Sequence, residues 1–169
     1  MSVALELARE SAPAADEDFK SEYLQALRLI ERLHRLLLDV IKDEFDREGG
    51  SDLNSVQALL IYNIGDSVLT AGELKTRGYY LGSNVSYNLK KLVDMGYIDC
   101  RQSETDGRSK RVSLTEKGQE ACDIIRGLYQ RQLGSIEAVG EVTGDDLSGL
   151  NKALVRLERF WTDQVRYRL

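Results

Sequence analysis

The chain has 169 residues, of which 42% are hydrophobic and 30% are charged, and its formal net charge is −5. This composition supports a folded core and excludes wholesale disorder, and no apolar run approaches the roughly 18–20 residues of a membrane span. The acidic balance argues at first sight against a nucleic-acid partner, but a net charge averages over the whole surface. Two cysteines are too few for a disulfide scaffold, and no secretory signal is visible, which predicts a reducing, cytoplasmic location without a membrane partner.

The first part of the chain divides into a tail and a long helix. Residues 1–18 are rich in Ala, Glu and Asp and contain the only proline, Pro13, which predicts a flexible acidic tail. From Phe19 to about Glu48, apolar residues recur at steps of three or four, which predicts a helix that a pair of glycines ends. Because this helix is apolar on more than one face, it needs more than one neighbour, and another chain is a candidate.

Polar residues mark the starts of the next helices. Asn54 with Gln57, and Thr70 with Glu73, have the spacing of capping boxes, and Ser83 is a further N-cap. The helices predicted from these starts cover 54–64, 74–76 and 84–95.

The pattern changes after Gly96. Residues 97–101 and 110–114 are rich in β-branched and aromatic side chains and flank a polar loop, which predicts a hairpin. Thr115 and Thr143 then open two final helices, the first over 116–138. The last helix carries a heptad stripe of Leu147, Leu150, Leu154, Leu157 and Trp161.

A short helix, a tight turn, a second helix and a polar hairpin form the winged helix-turn-helix plan. The fold predicted is therefore mainly α with a small β-hairpin wing, flanked by long dimerisation helices, and its second helix enters the DNA major groove. The face of that helix opposite its apolar residues carries side chains that bind base edges or phosphates: Ser83, Asn84, Tyr87, Lys90 and Lys91. The alternative is an ordinary solvated helix face.

The hairpin concentrates cations, namely Arg101, Arg108, Lys110 and Arg111. Asp106 lies two residues before Arg108 and can hold it extended at the loop tip, where it would enter a minor groove. Residues 70–111 hold eight Lys and Arg against five Asp and Glu, a net of +3, whereas the remainder holds 15 against 23, a net of −8. The predicted DNA face is thus basic within an acidic molecule; the alternative is a solvated hairpin with a weak ion pair.

The stretch from Leu53 to Gly118 resembles the MarR family of bacterial transcription regulators. The carrying blocks are Asn-Val-Ser-Tyr-Asn-Leu-Lys-Lys-Leu at 84–92, Gly-Tyr-Ile at 96–98, Asp-Gly-Arg at 106–108 and Leu-Thr-Glu-Lys-Gly at 114–118. The resemblance implies that Asp106 holds Arg108 for the minor groove. It also implies DNA contacts from Ser83, Asn84, Ser86 and Tyr87, and a ligand-responsive regulator of double-stranded DNA, more often a repressor.

The domains predicted are the tail, a DNA-binding domain over 51–115, and one intertwined dimerisation unit formed by 19–50 and 116–169. The apolar surface of this unit, including Leu27 and the heptad stripe, exceeds what the DNA-binding domain can cover, although intramolecular packing explains part of it. A two-fold homodimer predicts a pseudo-palindromic operator with half-sites about one DNA turn apart.

The resemblance further implies a pocket for a small aromatic or anionic effector between the dimerisation helices and the winged domain. His34, Tyr62 and Arg126 are candidate anchors, with ordinary surface or packing roles as the alternative. Cys100, next to Arg101, is a candidate redox sensor because a neighbouring cation favours the reactive thiolate, although most such cysteines are inert.

An enzyme, a metal site and a cofactor are not expected. One histidine excludes a His-rich metal cluster, and the sequence has no phosphate-binding glycine loop or nucleophile elbow. The alternative function from a different class is a winged-helix protein-interaction module that binds no DNA.

Overall fold

Seven helices and three short strands make up the described part of the chain, which in this computed structural model covers residues 12–76, 82–102 and 110–167. Side chains are described for 16–70, 72–74, 86–102 and 110–167. The elements are α1 (Ala12–Arg47), α2 (Ser55–Ile64), β1 (Leu69–Thr70), α3 (Ala71–Thr76), α4 (Gly82–Asp94), β2 (Ile98–Gln102), β3 (Lys110–Leu114), α5 (Glu116–Leu133), α6 (Ile136–Gly140) and α7 (Gly144–Tyr167). The predicted fold class, mainly helical with a small antiparallel sheet, is confirmed. No helix among these residues is long and apolar enough to cross a membrane.

Helix α1 begins at Ala12, so the predicted start at Phe19 is wrong by seven residues. Pro13 lies in the first turn, where its missing N–H is not needed and its fixed φ favours the helix. The described side chains next along the chain, 16–20, are exposed, so no apolar periodicity marks this segment. Residues 1–11, the rest of the predicted tail, lie outside the described part.

Four predicted capping residues are confirmed by their hydrogen bonds, although the short helix after Thr70 begins at Ala71 and not at Leu74. Asn54 Oδ1 accepts from the Gln57 N–H at 2.9 Å, and the Gln57 side chain accepts from the Asn54 N–H at 3.1 Å. The same reciprocal pattern joins Thr70 to Glu73 and Thr143 to Asp146, and Thr115 Oγ1 accepts from Gly118 N–H at 3.1 Å. Each bond satisfies a backbone donor that a helix start would otherwise leave open.

The sheet has the strand order β1–β3–β2, and both pairings are antiparallel. Strand β1 was missed by sequence analysis because two residues are too few to show a period. Helix α2 packs on α1 and on β3, and α4 packs on α3 and β2. The largest fully buried side chains lie on these elements and on α5: Ile41, Leu60, Ile61, Ile64, Leu74, Leu92, Ile98, Val112, Cys122 and Ile125.

The helix predicted over 116–138 is divided in two by Gly134 and Ser135. The Ser135 hydroxyl donates to the carbonyls of Arg131 and Gln132 at 3.4 and 3.3 Å, which offers the backbone an alternative to helix continuation. By backbone contacts the chain separates into two compact units, one ending at Ile125 and the other spanning Arg126–Leu169, so the boundary lies within α5 and before this break. The predicted joint dimerisation unit of 19–50 and 116–169 stays a prediction.

The hairpin closes on α5 through a tight backbone contact that we call the wing root (Gly96, Tyr97 and Thr115–Gly118). Thr115 N–H donates to the Tyr97 carbonyl at 3.1 Å, and the Thr115 hydroxyl donates to the Gly96 carbonyl at 2.7 Å. A Cβ on Gly118 would overlap the Tyr97 carbonyl oxygen. Glycine is therefore required here for space.

We expect Gly118→Ala to lower the free energy of unfolding by about 1–3 kcal/mol, since backbone must shift to admit the methyl group. Gly149→Ala in α7 is the matched control because a Cβ there meets nothing within 4 Å, and we expect a gain of about 0.5–1 kcal/mol from helix propensity. Denaturant titration measures both. Equal behaviour of the two variants would contradict the steric role of Gly118.

Candidate nucleic-acid interface

The described part of α4 has one buried and one exposed face. Asn88, Leu89 and Leu92 are buried, whereas Tyr87 is 62% exposed and Lys90 and Lys91 are exposed. Ser86 is exposed on the same helix. Val93, although apolar, is 39% exposed. The side chains of Ser83 and Asn84 lie outside those described, although both residues belong to α4.

The two strands of the wing place their cations on exposed positions. Arg101 lies directly opposite Arg111, and Gln102 lies opposite Lys110. Directly opposed like charges destabilise a hairpin, so this pairing favours a surface that meets an anion. The loop tip with Asp106 and Arg108 lies outside the described residues.

Asp99 is an acidic residue of the wing that sequence analysis did not single out. Its carboxylate pairs with Arg101 at 3.2 Å, and both side chains are exposed. A cavity of about 500 Å³ lies against this side of the sheet and is lined by Val68, Asp99, Arg101, Gln102, Arg111, Ser113 and Leu114. The signal available in the sequence was the spacing of two along one strand, which puts both side chains on one face.

The wing root also carries a polar cluster. The Tyr97 hydroxyl donates to Asp52 Oδ1 at 2.5 Å and lies 3.5 Å from Ser51 Oγ. Lys117 Nζ lies 3.6 Å from Asp52 Oδ2, 4.0 Å from the centre of the Tyr97 ring, and 3.1 Å from the Met95 carbonyl, to which it donates. The Tyr97 hydrogen bond is the main cause that lowers the pKa of Asp52; desolvation opposes it, and the positive charge of Lys117 adds to the lowering.

The predicted effector anchors occupy separate elements. His34 is exposed on α1, Tyr62 is half-buried on α2, and Arg126 is half-buried on α5 at the start of the second unit. One cavity along α1, of about 570 Å³, is lined by Gln25, Arg28, Leu29, Glu31, Arg32 and Arg35, and a second, of about 340 Å³, is lined by Lys42, Phe45, Asp46 and 51–55. None of the three anchors belongs to either lining.

The two cysteines differ in exposure. Cys100 is exposed on β2, and Cys122 is buried on α5, so Cys100 is the accessible thiol. Within the described ranges, no group of three or more His, Cys, Asp or Glu side chains could hold a metal ion.

The residues predicted for a dimer interface are incompletely covered within one chain. Leu150 is 50% exposed and Leu154 is 37% exposed, whereas Leu27, Leu147, Leu157 and Trp161 are half-buried. No described residue of α6 or α7 is buried.

Comparison with known proteins agrees with this geometry. A model described as a winged helix DNA-binding domain matches residues 53–118. The exopolysaccharide II synthesis transcriptional activator ExpG from Rhizobium meliloti (strain 1021) is 37% identical over 154 residues, which cover 89% of this chain and 77% of that protein.

Solved structures share the fold. The transcriptional regulator SlyA matches with a TM-score of 0.70 and 19% identity, over 85% of this chain and 99% of SlyA. A mutant of MarR from E. coli complexed with operator DNA matches with a TM-score of 0.64 and 21% identity, over 80% of this chain and 95% of that chain.

We expect the stability of the protein to fall when Asp52 is protonated. Because folding lowers the pKa of Asp52, its contribution is present above the ordinary value of 3.8 and is lost as the pH falls through the lower, folded value. The difference in unfolding free energy between the wild type and Asp52→Asn should therefore shrink as the pH drops from 7 toward 2. Asp39→Asn, at an exposed position of α1, is the control. A difference for Asp52→Asn that is independent of pH would contradict this account.

Proposed function

Because the chain belongs to the MarR family of winged helix-turn-helix transcription regulators and is a DNA-binding regulator, we propose that it binds a pseudo-palindromic operator as a homodimer and activates transcription there. Activation is supported by the relative ExpG, which is named as a transcriptional activator. Repression of transcription, which the family resemblance favours, is the alternative to activation. Because the operator lies in genomic DNA, the proposed function also supports a cytoplasmic location.

The main support for the proposed mode of DNA binding is the exposed cationic surface of α4 and the wing. Lys90 and Lys91 extend from α4, and Arg101, Lys110 and Arg111 extend from β2 and β3. Phosphate contacts by such side chains supply a salt-dependent part of the affinity, while Ser86 and Tyr87 on the same helix are suited to base edges and the thymine methyl group. The acidic remainder of the chain disfavours other orientations on DNA.

The exposed apolar residues of α7 support the homodimer. Leu150, Leu154, Phe160 and Val165 are each at least 37% exposed on a helix of 24 residues that has no buried residue. Apolar patches of this kind mark an interaction surface, because covering them gains about 25 cal/mol per Å². A second copy of the same helix offers a matching stripe in a two-fold arrangement.

An anionic effector is supported by the larger of the two pockets along α1, an open groove whose lining residues all belong to this one helix. Arg28, Arg32 and Arg35 line it together with Leu29, and Glu31, which is the only acidic residue in this lining, is paired with Arg35 at 3.7 Å. Two arginines therefore remain to meet a carboxylate or phosphate, and Leu29 can contact an apolar part. The role of His34, Tyr62 and Arg126 in effector binding stays a prediction.

The deciding experiment is the selection of fragments bound by the protein from its source genome, followed by a reporter fused to the recovered sites. We expect sequence-selective binding and higher reporter output when the protein is present. Lower output would overturn activation in favour of repression. Failure to select any sequence would favour a protein-interaction module without DNA binding.

We expect Lys91→Ala to weaken binding to the recovered operator and to reduce the slope of log affinity against log salt by about 1 for each subunit, since one phosphate contact is lost in each. Lys20→Ala is the matched control because it removes the same charge from a side chain that is 65% exposed on α1. Fluorescence anisotropy over a salt series measures both. Equal slopes for the two variants would remove Lys91 from the interface.

We expect Leu150→Glu to shift the protein from dimer toward monomer, since two carboxylates would enter an apolar stripe. Val155→Glu is the control because Val155 is 62% exposed on the same helix but lies off the heptad positions. Sedimentation velocity over a concentration series distinguishes the two species. Dissociation by Val155→Glu alone would reassign the interface to another face of α7.

A further inference from the structure

The polar cluster at the wing root lies where three segments of the chain meet. Tyr97 ends the turn after α4 and precedes β2, Lys117 lies in the first turn of α5, and Asp52 belongs to the connection between α1 and α2. Its bonds therefore join elements that are distant in sequence. None of these three side chains belongs to the residues proposed to contact DNA or to form the dimer.

Tyr97 determines how α4 ends. The Tyr97 N–H donates to the Leu92 carbonyl at 2.9 Å and the Gly96 N–H donates to the Val93 carbonyl at 3.0 Å, with Gly96 at φ 77°. This is the Schellman arrangement, in which the residue after the glycine packs back on the helix, and both Leu92 and Tyr97 are buried. A displacement of the Tyr97 ring is therefore transmitted to the C-terminal turn of α4.

Lys117 holds the same turn from the other side. Its ammonium group donates to the Met95 carbonyl at 3.1 Å, at the C-terminal end of α4, where a cation also interacts favourably with the helix dipole. It lies at the same time over the Tyr97 ring and beside the Asp52 carboxylate. One cation thus bridges the end of α4, the start of α5 and the α1–α2 connection.

Asp52 connects this cluster to α1 and α2. It lies two residues before Asn54, the N-cap of α2, and α2 packs on α1. The hydrogen bond from Tyr97 and the ion pair with Lys117 therefore link the end of α4 to the long helix that we expect at the dimer interface. The carboxylate accepts a short, charge-assisted hydrogen bond from the Tyr97 hydroxyl, which is stronger than a neutral one. The ion pair adds less to this link, because the side chains of Lys117 and Asp52 are 47% and 57% exposed.

We propose that Tyr97, Lys117 and Asp52 are positioning residues that hold α4 and the wing in a fixed orientation to α1 and α2, and thereby set the half-site spacing that the dimer accepts. This role rests on the proposed binding of two half-sites by a homodimer. In such a complex a fixed orientation of each α4 discriminates against an operator with the wrong spacing. Loosening the cluster lowers that discrimination without removing any DNA contact.

The test compares two duplexes with each variant. One carries the operator recovered by genomic selection, and the other carries the same operator with one base pair inserted between its half-sites, which moves them apart by about 3.4 Å and rotates one by about 34°. Tyr97→Phe removes only the hydroxyl, and Lys117→Met removes the charge while keeping an apolar stem. For each variant we expect the affinity for the recovered operator, divided by the affinity for the operator with the insertion, to fall by about tenfold. A factor of this size corresponds to the free energy of one charge-assisted hydrogen bond.

Two controls separate positioning from stability. Ile61→Val lowers stability in the core and removes no hydrogen bond or ion pair of the cluster, and we expect it to leave the affinity ratio unchanged. Lys117→Arg keeps the charge and should retain most of the discrimination. A wild-type protein that binds both duplexes equally would overturn the two-half-site mode and the positioning role with it. If the wild type discriminates between the duplexes, and Tyr97→Phe and Lys117→Met show the same affinity ratio as the wild type or as Ile61→Val, the positioning role alone would be overturned.

Discussion

The close approach of Gly118 to the Tyr97 carbonyl is the constraint on which the DNA-binding half of the chain depends. Because no side chain separates the two backbones, the first turn of α5 lies against the exit of α4, and Thr115 can donate to both Gly96 and Tyr97. The two ends of the hairpin are thereby held together. A larger residue at 118 would push apart the elements that carry the recognition helix and the wing.

The hairpin of this protein is locally basic, although the net charge of the whole chain is negative. Arg101 and Arg111 face each other across the hairpin, and Asp99 neutralises part of this repulsion through its ion pair with Arg101. An exposed pair of this kind adds little stability in water, so its value lies in the surface that it presents. An acidic protein can in this way offer a basic face to DNA while its helices repel the same polyanion.

The second unit, which contains α7, leaves its apolar side chains incompletely covered. Helix α7 has a heptad stripe and a carboxylate-capped start, yet it has no buried residue. Its first turn is stabilised locally, because the Thr143 hydroxyl bonds Asp146 and lowers the pKa of that carboxyl. The apolar stripe needs a partner surface, and this dependence makes dimer formation and stability inseparable in the proposed homodimer.

The sequence by itself determined the features that arise from neighbouring residues. The capping boxes at Asn54 and Thr70 were predictable because both partners lie within one helical turn. The winged plan was predictable from the order of a short helix, a turn, a second helix and a polar hairpin, because each of these elements is marked by neighbouring residues. The start of α1 was missed because exposed residues such as Asp16 leave no apolar period. Only the tertiary structure decided that Asp52 meets Tyr97 and Lys117, since Asp52 lies 45 residues before Tyr97 and still further from Lys117, and their approach depends on how α2, the hairpin and α5 pack together.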